Sequence, residues 1–194
     1  MVKIENKKNK AWIYFLVIIL ILVVLDLVFF AIKPEQAETE VQKQNFTTEN
    51  GKNIVSMKLP AIDENEEGVT TILRIEATPG SGRTLTDIEN LLFWADTQQS
   101  IRVARLVADK LSDIDVNSVD LIYGIEANAS LIGGPSAGAA LAIATMAAIE
   151  GKQINPDVMI TGTINHDGSL GPVSAILEKA KAAKQAGASV FLVP

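Results

Sequence analysis

The apolar positions of this chain fall into distinct patterns. From Ala11 to Ile32 the sequence reads AWIYFLVIILILVVLDLVFFAI, with Asp26 its only charge. Such a run has no polar face, so it predicts a helix surrounded by lipid and not one laid on a core. Twenty-two residues at about 1.5 Å each span roughly 33 Å, enough for a hydrocarbon layer of about 30 Å. Residues 33–53 (KPEQAETEVQKQNFTTENGKN) carry no apolar period and predict a flexible polar stalk. From about Ile54 to Pro194 strand-like and helix-like segments alternate. Strands are predicted at 69–77, 119–125, 158–164 and 190–193 from β-branched composition. Helices are predicted at 97–111, from apolar positions Ile101, Ala104, Val107, Ala108 and Leu111, and at 136–149 and 173–186. That is a mixed α/β domain over 54–194, with one transmembrane helix before it.

Flanking charge orients the apolar run. Lys3, Lys7, Lys8 and Lys10 precede it, whereas Glu35, Glu38 and Glu40 follow Lys33. The positive-inside rule then makes 1–10 a basic cytoplasmic N-terminus and puts the domain outside the cytoplasm. Trp12 and Tyr14 stand where interfacial aromatics belong. A cleaved signal peptide would have a shorter apolar region and a small-residue cleavage site, so the expectation is an uncleaved single-pass anchor. Asp26 lies close enough to the outer end to reach the headgroups.

Composition adds mainly exclusions. The mean hydropathy of +0.25 comes from the N-terminal run. A net charge of −6 leaves no basic surface for nucleic acid. There is no cysteine, so disulfides and thiolate chemistry are absent, and one histidine, His166, cannot build a histidine metal cluster. Asn45-Phe46-Thr47 is a glycosylation sequon. The acidic stretch Asp63 to Glu67 reads as a solvated hairpin loop. Gly80-Ser81-Gly82 lacks the lysine of a phosphate loop, and no nucleotide motif occurs elsewhere.

Two positions carry candidate chemistry. Gly133-Gly134-Pro135-Ser136-Ala137-Gly138 joins a strand to a helix and puts Ser136 at the helix start. A serine there suits two roles: an N-cap, or a nucleophile whose oxyanion would meet free backbone N–H groups. His166 sits in a polar turn, Asn165-His166-Asp167-Gly168, and is a poor base candidate. The alternative base is a lysine desolvated enough to lose its proton. On the last helix Ala175, Ile176, Ala180, Ala182, Ala183, Ala186 and Gly187 fall within about 100° of Lys179. Lys181, Lys184, Gln185 and Glu178 fall opposite, so Lys179 is the lone charge on an alanine-lined face. A lysine so placed either snorkels to solvent or crosses a cleft.

The segments GGPSAGAA, MITGTI, SLGPVSAILEKAKAAKQAGA and VFLVP resemble the proteolytic domain of the Lon protease family, whose pattern is GPSAG, MTGE, LPIGG-x-x-EK, AAxxAG and LIP. The helix with Thr97-Gln98-Gln99-Ser100 resembles one carrying ES-x-x-A. The resemblance covers about 54–194 and is nearest to membrane-associated archaeal Lon-like serine proteases that lack the ATPase module. It implies a Lon proteolytic-domain fold (like the second domain of ribosomal protein S5). It also implies a serine endopeptidase with a Ser-Lys dyad, Ser136 as nucleophile and Lys179 as base. Their separation of 43 residues agrees without a gap. Thr161 would orient Lys179, and Gly134, Pro135 and Ala137 would support the oxyanion. No cofactor or metal is implied. The partners would be an unfolded or flexible polypeptide, the membrane, and further copies in a homo-oligomer. Three departures stand out: Gly133 replaces an aspartate, Thr163 replaces the glutamate of TGE, and Pro194 falls before a family strand-and-helix unit, so the domain is expected to lack its C-terminal end. The rival expectation is an inactive, membrane-tethered binding module of the same fold.

Overall fold

The computed structural model describes residues 8–31, 43–87, 95–126 and 134–194. They form two units, one up to Glu40 and one from Val41. The first contains α1 (Lys8–Ala31), whose side chains are described for residues 12–26. Over the described residues no helix is long and apolar enough to cross a membrane; the span expected at 11–32 extends beyond the described side chains.

The second unit is a mixed α/β domain. Strands β1 (Asn53–Ile62) and β2 (Gly68–Pro79) form an antiparallel hairpin. Then come β3 (Thr84–Thr86), α2 (Ala95–Leu111) and β4 (Val119–Glu126). The sheet order is β1-β2-β4-β3, with β1 at an edge. Alternate residues of β2 point inward, and Leu73, Ile75 and Ala77 are fully buried, the period-2 pattern of a one-faced sheet. Pro60 lies in β1, and an edge strand is where a residue without an N–H is tolerated.

Helix α3 (Gly138–Glu150) has almost no exposed stripe; ten of its thirteen residues are buried. Its alanines and glycine let it lie between α2 and the sheet with little side-chain bulk. Its one buried hydroxyl is satisfied twice: Thr145 donates to Leu141 O at 2.6 Å and meets Tyr123 Oη at 2.9 Å. Gly151 ends the helix at φ 65°, the left-handed conformation that favours glycine. The remaining elements are β5 (Val158–Ile160), β6 (Thr163–Ile164), β7 (Leu170–Gly171), α4 (Ile176–Gln185) and β8 (Val190–Leu192). β5 pairs with β8 in parallel, and β6 pairs with β7 antiparallel.

Two expectations need adjustment. The packed domain begins before residue 54: Phe46 is in the core, its N–H donates to Ser118 Oγ at 2.8 Å, and Gln44 bridges Ile114. Only the part of the polar segment from residue 43 on is described; it is tied to the domain through Lys43, Gln44 and Phe46, while most of its other residues are exposed. The single strand expected at 158–164 is broken at Thr161-Gly162. Those two residues direct their backbone bonds to other partners: Thr161 N–H to Leu192 O, and Gly162 N–H to Ser136 O.

Candidate active site

Ser136 does not cap a helix. It lies in a 3-10 turn, Pro135–Ala137, ahead of α3, and no side-chain capping bond is formed at either start. Gly134 enters the turn at φ 113°, a conformation available to glycine and costly for residues with a Cβ. Pro135 follows at the first position, where its fixed φ suits the turn. The turn is held from below. Ser136 O accepts from Gly162 N–H at 2.9 Å and from Thr161 Oγ1 at 3.2 Å, and Ala139 N–H donates to Gly162 O at 2.9 Å. Gly138 is required by the same docking, because a Cβ there would lie 2.7 Å from Ile164 Cγ2 and 2.8 Å from its backbone nitrogen.

Lys179 sits in the first turns of α4, its N–H bonded to Ala175 O at 3.1 Å. The alanine-lined face is the buried one: Lys179, Ala182 and Ala183 are inside, whereas Lys181, Lys184 and Gln185 are exposed. Ile176, placed on that face by helical spacing, is exposed, because α4 begins only there and not at residue 173. Lys179 is 4 % exposed, and among the described residues no carboxylate pairs with it. Desolvation holds its ammonium below the usual lysine pKa. Ala175, just before α4, has φ 54°. It stands at the second glycine of LPIGG-x-x-EK, so the motif's glycine is explained by a left-handed backbone that alanine here adopts at a cost of about 1–2 kcal/mol.

Ser136 and Lys179 line one cleft of about 270 Å³. Its walls include Leu59 to Ile62 of β1, Thr71 of β2, Thr97 of α2, Ile125 of β4, Thr163 of β6, and Pro172 to Ser174. Gly134, Pro135 and Ala137 are on the same wall as Ser136. The roles expected for the supporting residues change. Pro135 has no N–H and cannot donate to an oxyanion; it shapes the turn. The N–H of Gly138 is engaged with Pro135 O, and that of Ala139 with Gly162 O. The described residues offer no acceptor to the N–H of Gly134 or Ser136. Thr161 is 1 % exposed, and its hydroxyl donates to Ser136 O, not to Lys179. Gly133 lies outside the described residues. His166 is in an exposed turn, its carbonyl bonded to Lys110 Nζ, and does not line the cleft. Sequence reasoning missed the wall from β1 and Thr71. Its one signal was Pro60 within an otherwise strand-like run, marking an edge. Among the described residues no group of three or more His, Asp or Glu is arranged to hold a metal.

Residues 102–194 match the Lon protease (S16) C-terminal proteolytic domain. The chain belongs to the Lon protease family. It is 34 % identical over 158 residues to the Lon protease of Methanosarcina barkeri (strain Fusaro / DSM 804), covering 74 % of this chain and 20 % of that protein. It is 31 % identical over 130 residues to the Lon protease of Lachnoclostridium phytofermentans, covering 66 % of this chain and 16 % of that one. Lon protease 2 of Bacillus subtilis (strain 168) is 36 % identical over 94 residues, 48 % of this chain and 16 % of its own length. The chain thus spans a fifth or less of these relatives, and what it shares with them is a Lon-type domain of the serine-peptidase kind.

Proposed function

We propose that this Lon-type domain is a membrane-anchored serine endopeptidase in which Lys179 activates Ser136. The observation that carries the reading is that both residues line one cleft, with Lys179 desolvated and, among the described residues, without a carboxylate partner. An unpaired, buried amine is the form of lysine that can serve as a base near neutral pH. Lys179 takes the Ser136 proton, Ser136 Oγ attacks a peptide carbonyl, and the amine product leaves with that proton. Water then hydrolyses the acyl-enzyme. The N–H groups of Gly134 and Ser136, which have no acceptor among the described residues, are the donors that meet the oxyanion in this reading. Thr161 positions Ser136 through its carbonyl.

The hydrolytic steps as proposed use only Ser136, Lys179 and water, with no nucleotide in them, and the cleft takes a flexible or unfolded polypeptide. Residues 11–32 anchor the chain with its N-terminus in the cytoplasm and the peptidase domain outside, as their length, apolarity and flanking lysines favour. Association into a homo-oligomer belongs to the same reading.

A serine-directed fluorophosphonate tests the dyad. Ser136 becomes labelled in the wild type, and Lys179→Ala loses that labelling. Labelling that is absent, or indifferent to Lys179→Ala, removes the dyad. Protease added to intact cells tests the topology: the domain is digested if it faces outward and protected if the orientation is reversed.

A further inference from the structure

We propose that the cleft is also a carboxylate-binding site, one that retains the acid product of cleavage and takes short branched aliphatic acids in its place. This rests on the dyad reading and adds a ligand class to it.

The cleft is chemically lopsided. Among the described residues its only charge is Lys179, 4 % exposed and without a carboxylate partner. The other polar side chains of its described lining are neutral hydroxyls, those of Thr71, Thr97, Ser136, Thr163 and Ser174, and no Asp, Glu, Arg or His among the described residues lines it. Between them lie the apolar surfaces of Leu59, Ile62, Ile125 and Val173. A protonated lysine so little exposed and without a counter-ion is costly, although its amine opens to the cleft and is not sealed in the core. The ligand that relieves it has a carboxylate at one end and an aliphatic group at the other. The volume of about 270 Å³ admits a five-carbon acid with room to spare.

The reaction itself delivers such a ligand. In the second half of turnover, Lys179 takes a proton from water while the water oxygen bonds to the acyl carbon. The tetrahedral intermediate expels Ser136 Oγ, which recovers that proton from Lys179. The free peptide acid then gives its own proton to Lys179. Atoms and charge balance: one water is consumed, the acyl–oxygen bond is broken, and a carboxylate sits beside an ammonium in the cleft. That pair must separate, and Lys179 must lose its proton, before Ser136 can be activated again. Relatives with the TGE pattern carry a glutamate at the position of Thr163; this chain has no carboxylate of its own there to compete with the ligand.

The test uses the full chain in detergent, with Ser136→Ala so that nothing turns over. Isothermal titration compares isovalerate, its neutral isostere isovaleramide, and N-acetyl-leucine as a product mimic. Both acids are expected to bind at least about tenfold more tightly than the amide, the share of a charge-assisted bond. N-acetyl-leucine is expected to bind more tightly than isovalerate, which identifies the peptide product and not a free fatty acid as the source. Adding Lys179→Met should abolish the difference between acid and amide. Equal binding of acid and amide overturns the proposal even where fluorophosphonate labelling upholds the dyad. Isovalerate binding with N-acetyl-leucine excluded overturns the product assignment. If Lys179→Met does not fold, the ligand series alone decides.

Discussion

Thr161→Val removes one hydroxyl and little else. The side chains have nearly the same shape, and Thr161 is 1 % exposed, so the variant leaves neither a cavity nor a new contact with water. What is lost is the 3.2 Å bond to Ser136 O. That carbonyl keeps its second donor, Gly162 N–H at 2.9 Å, so no buried acceptor is orphaned. The stability cost is therefore the net value of one neutral hydrogen bond, about 1 kcal/mol, or roughly 2–4 °C in Tm for a domain of this size. The catalytic cost is larger if the bond fixes the nucleophile. With one of its three bonds gone the turn is held less tightly, by the Gly162 N–H and Ala139 N–H bonds alone, and a displacement of about 1 Å at a reacting atom costs up to about 100-fold in rate. Peptide hydrolysis should show kcat reduced by about tenfold or more with KM little changed, because the cleft walls are untouched. Thr161→Ser, which restores the hydroxyl, should recover most of kcat while remaining somewhat less stable than wild type. A Thr161→Val enzyme with reduced Tm but unchanged kcat would show that the bond is structural only.

Two further predictions concern charge. Lys179 has its pKa lowered by desolvation, so the folded state binds fewer protons than the unfolded one between its folded pKa and the unfolded value of 10.5. Stability at this site therefore rises with pH across that window, and the penalty is fully present below it. Lys179→Met should melt higher than wild type at pH 7 in differential scanning calorimetry, with the gain shrinking towards pH 10; a gain that grows with pH reverses the sign of the argument. Asp120 behaves oppositely. Arg83 Nε at 2.7 Å, with the backbone N–H groups of Arg83 and Ser81, holds its carboxyl at about 2. Its contribution is present above the ordinary carboxylate value and lost as pH falls through about 2. Asp120→Asn should lower Tm at pH 7, and the difference from wild type should close on acidification; a difference that persists at pH 2 refutes the assignment.

The sequence made the chemistry more legible than the frame that holds it. Lys179 could be told from Lys181 and Lys184 because helical spacing alone separates a buried face from a wet one. Ser136 was left between cap and nucleophile, since both need a small hydroxyl at the same place. Only the 3-10 turn, which shifts the start of α3 to Gly138, separates them. The partner of Thr161 was not legible at all: a 25-residue separation gives no local signal of which carbonyl a hydroxyl reaches. The cleft wall from β1 was hidden for a similar reason, because an edge strand reads like any other until its neighbours are known. β3 and β7, of three and two residues, are too short to show a period.

The two sides of the cleft come from distant parts of the chain. Leu59 to Thr71 build one wall, whereas Ser136, the Thr161-Gly162 anchor and Lys179 follow much later. A ribosome therefore makes the β1–β2 wall of the cleft well before the groups proposed to cut a peptide there. The nucleophile's turn has nothing to rest on until residue 162 has emerged, and the base arrives later still. On the proposed reading, the peptide-receiving wall is therefore complete before the dyad is.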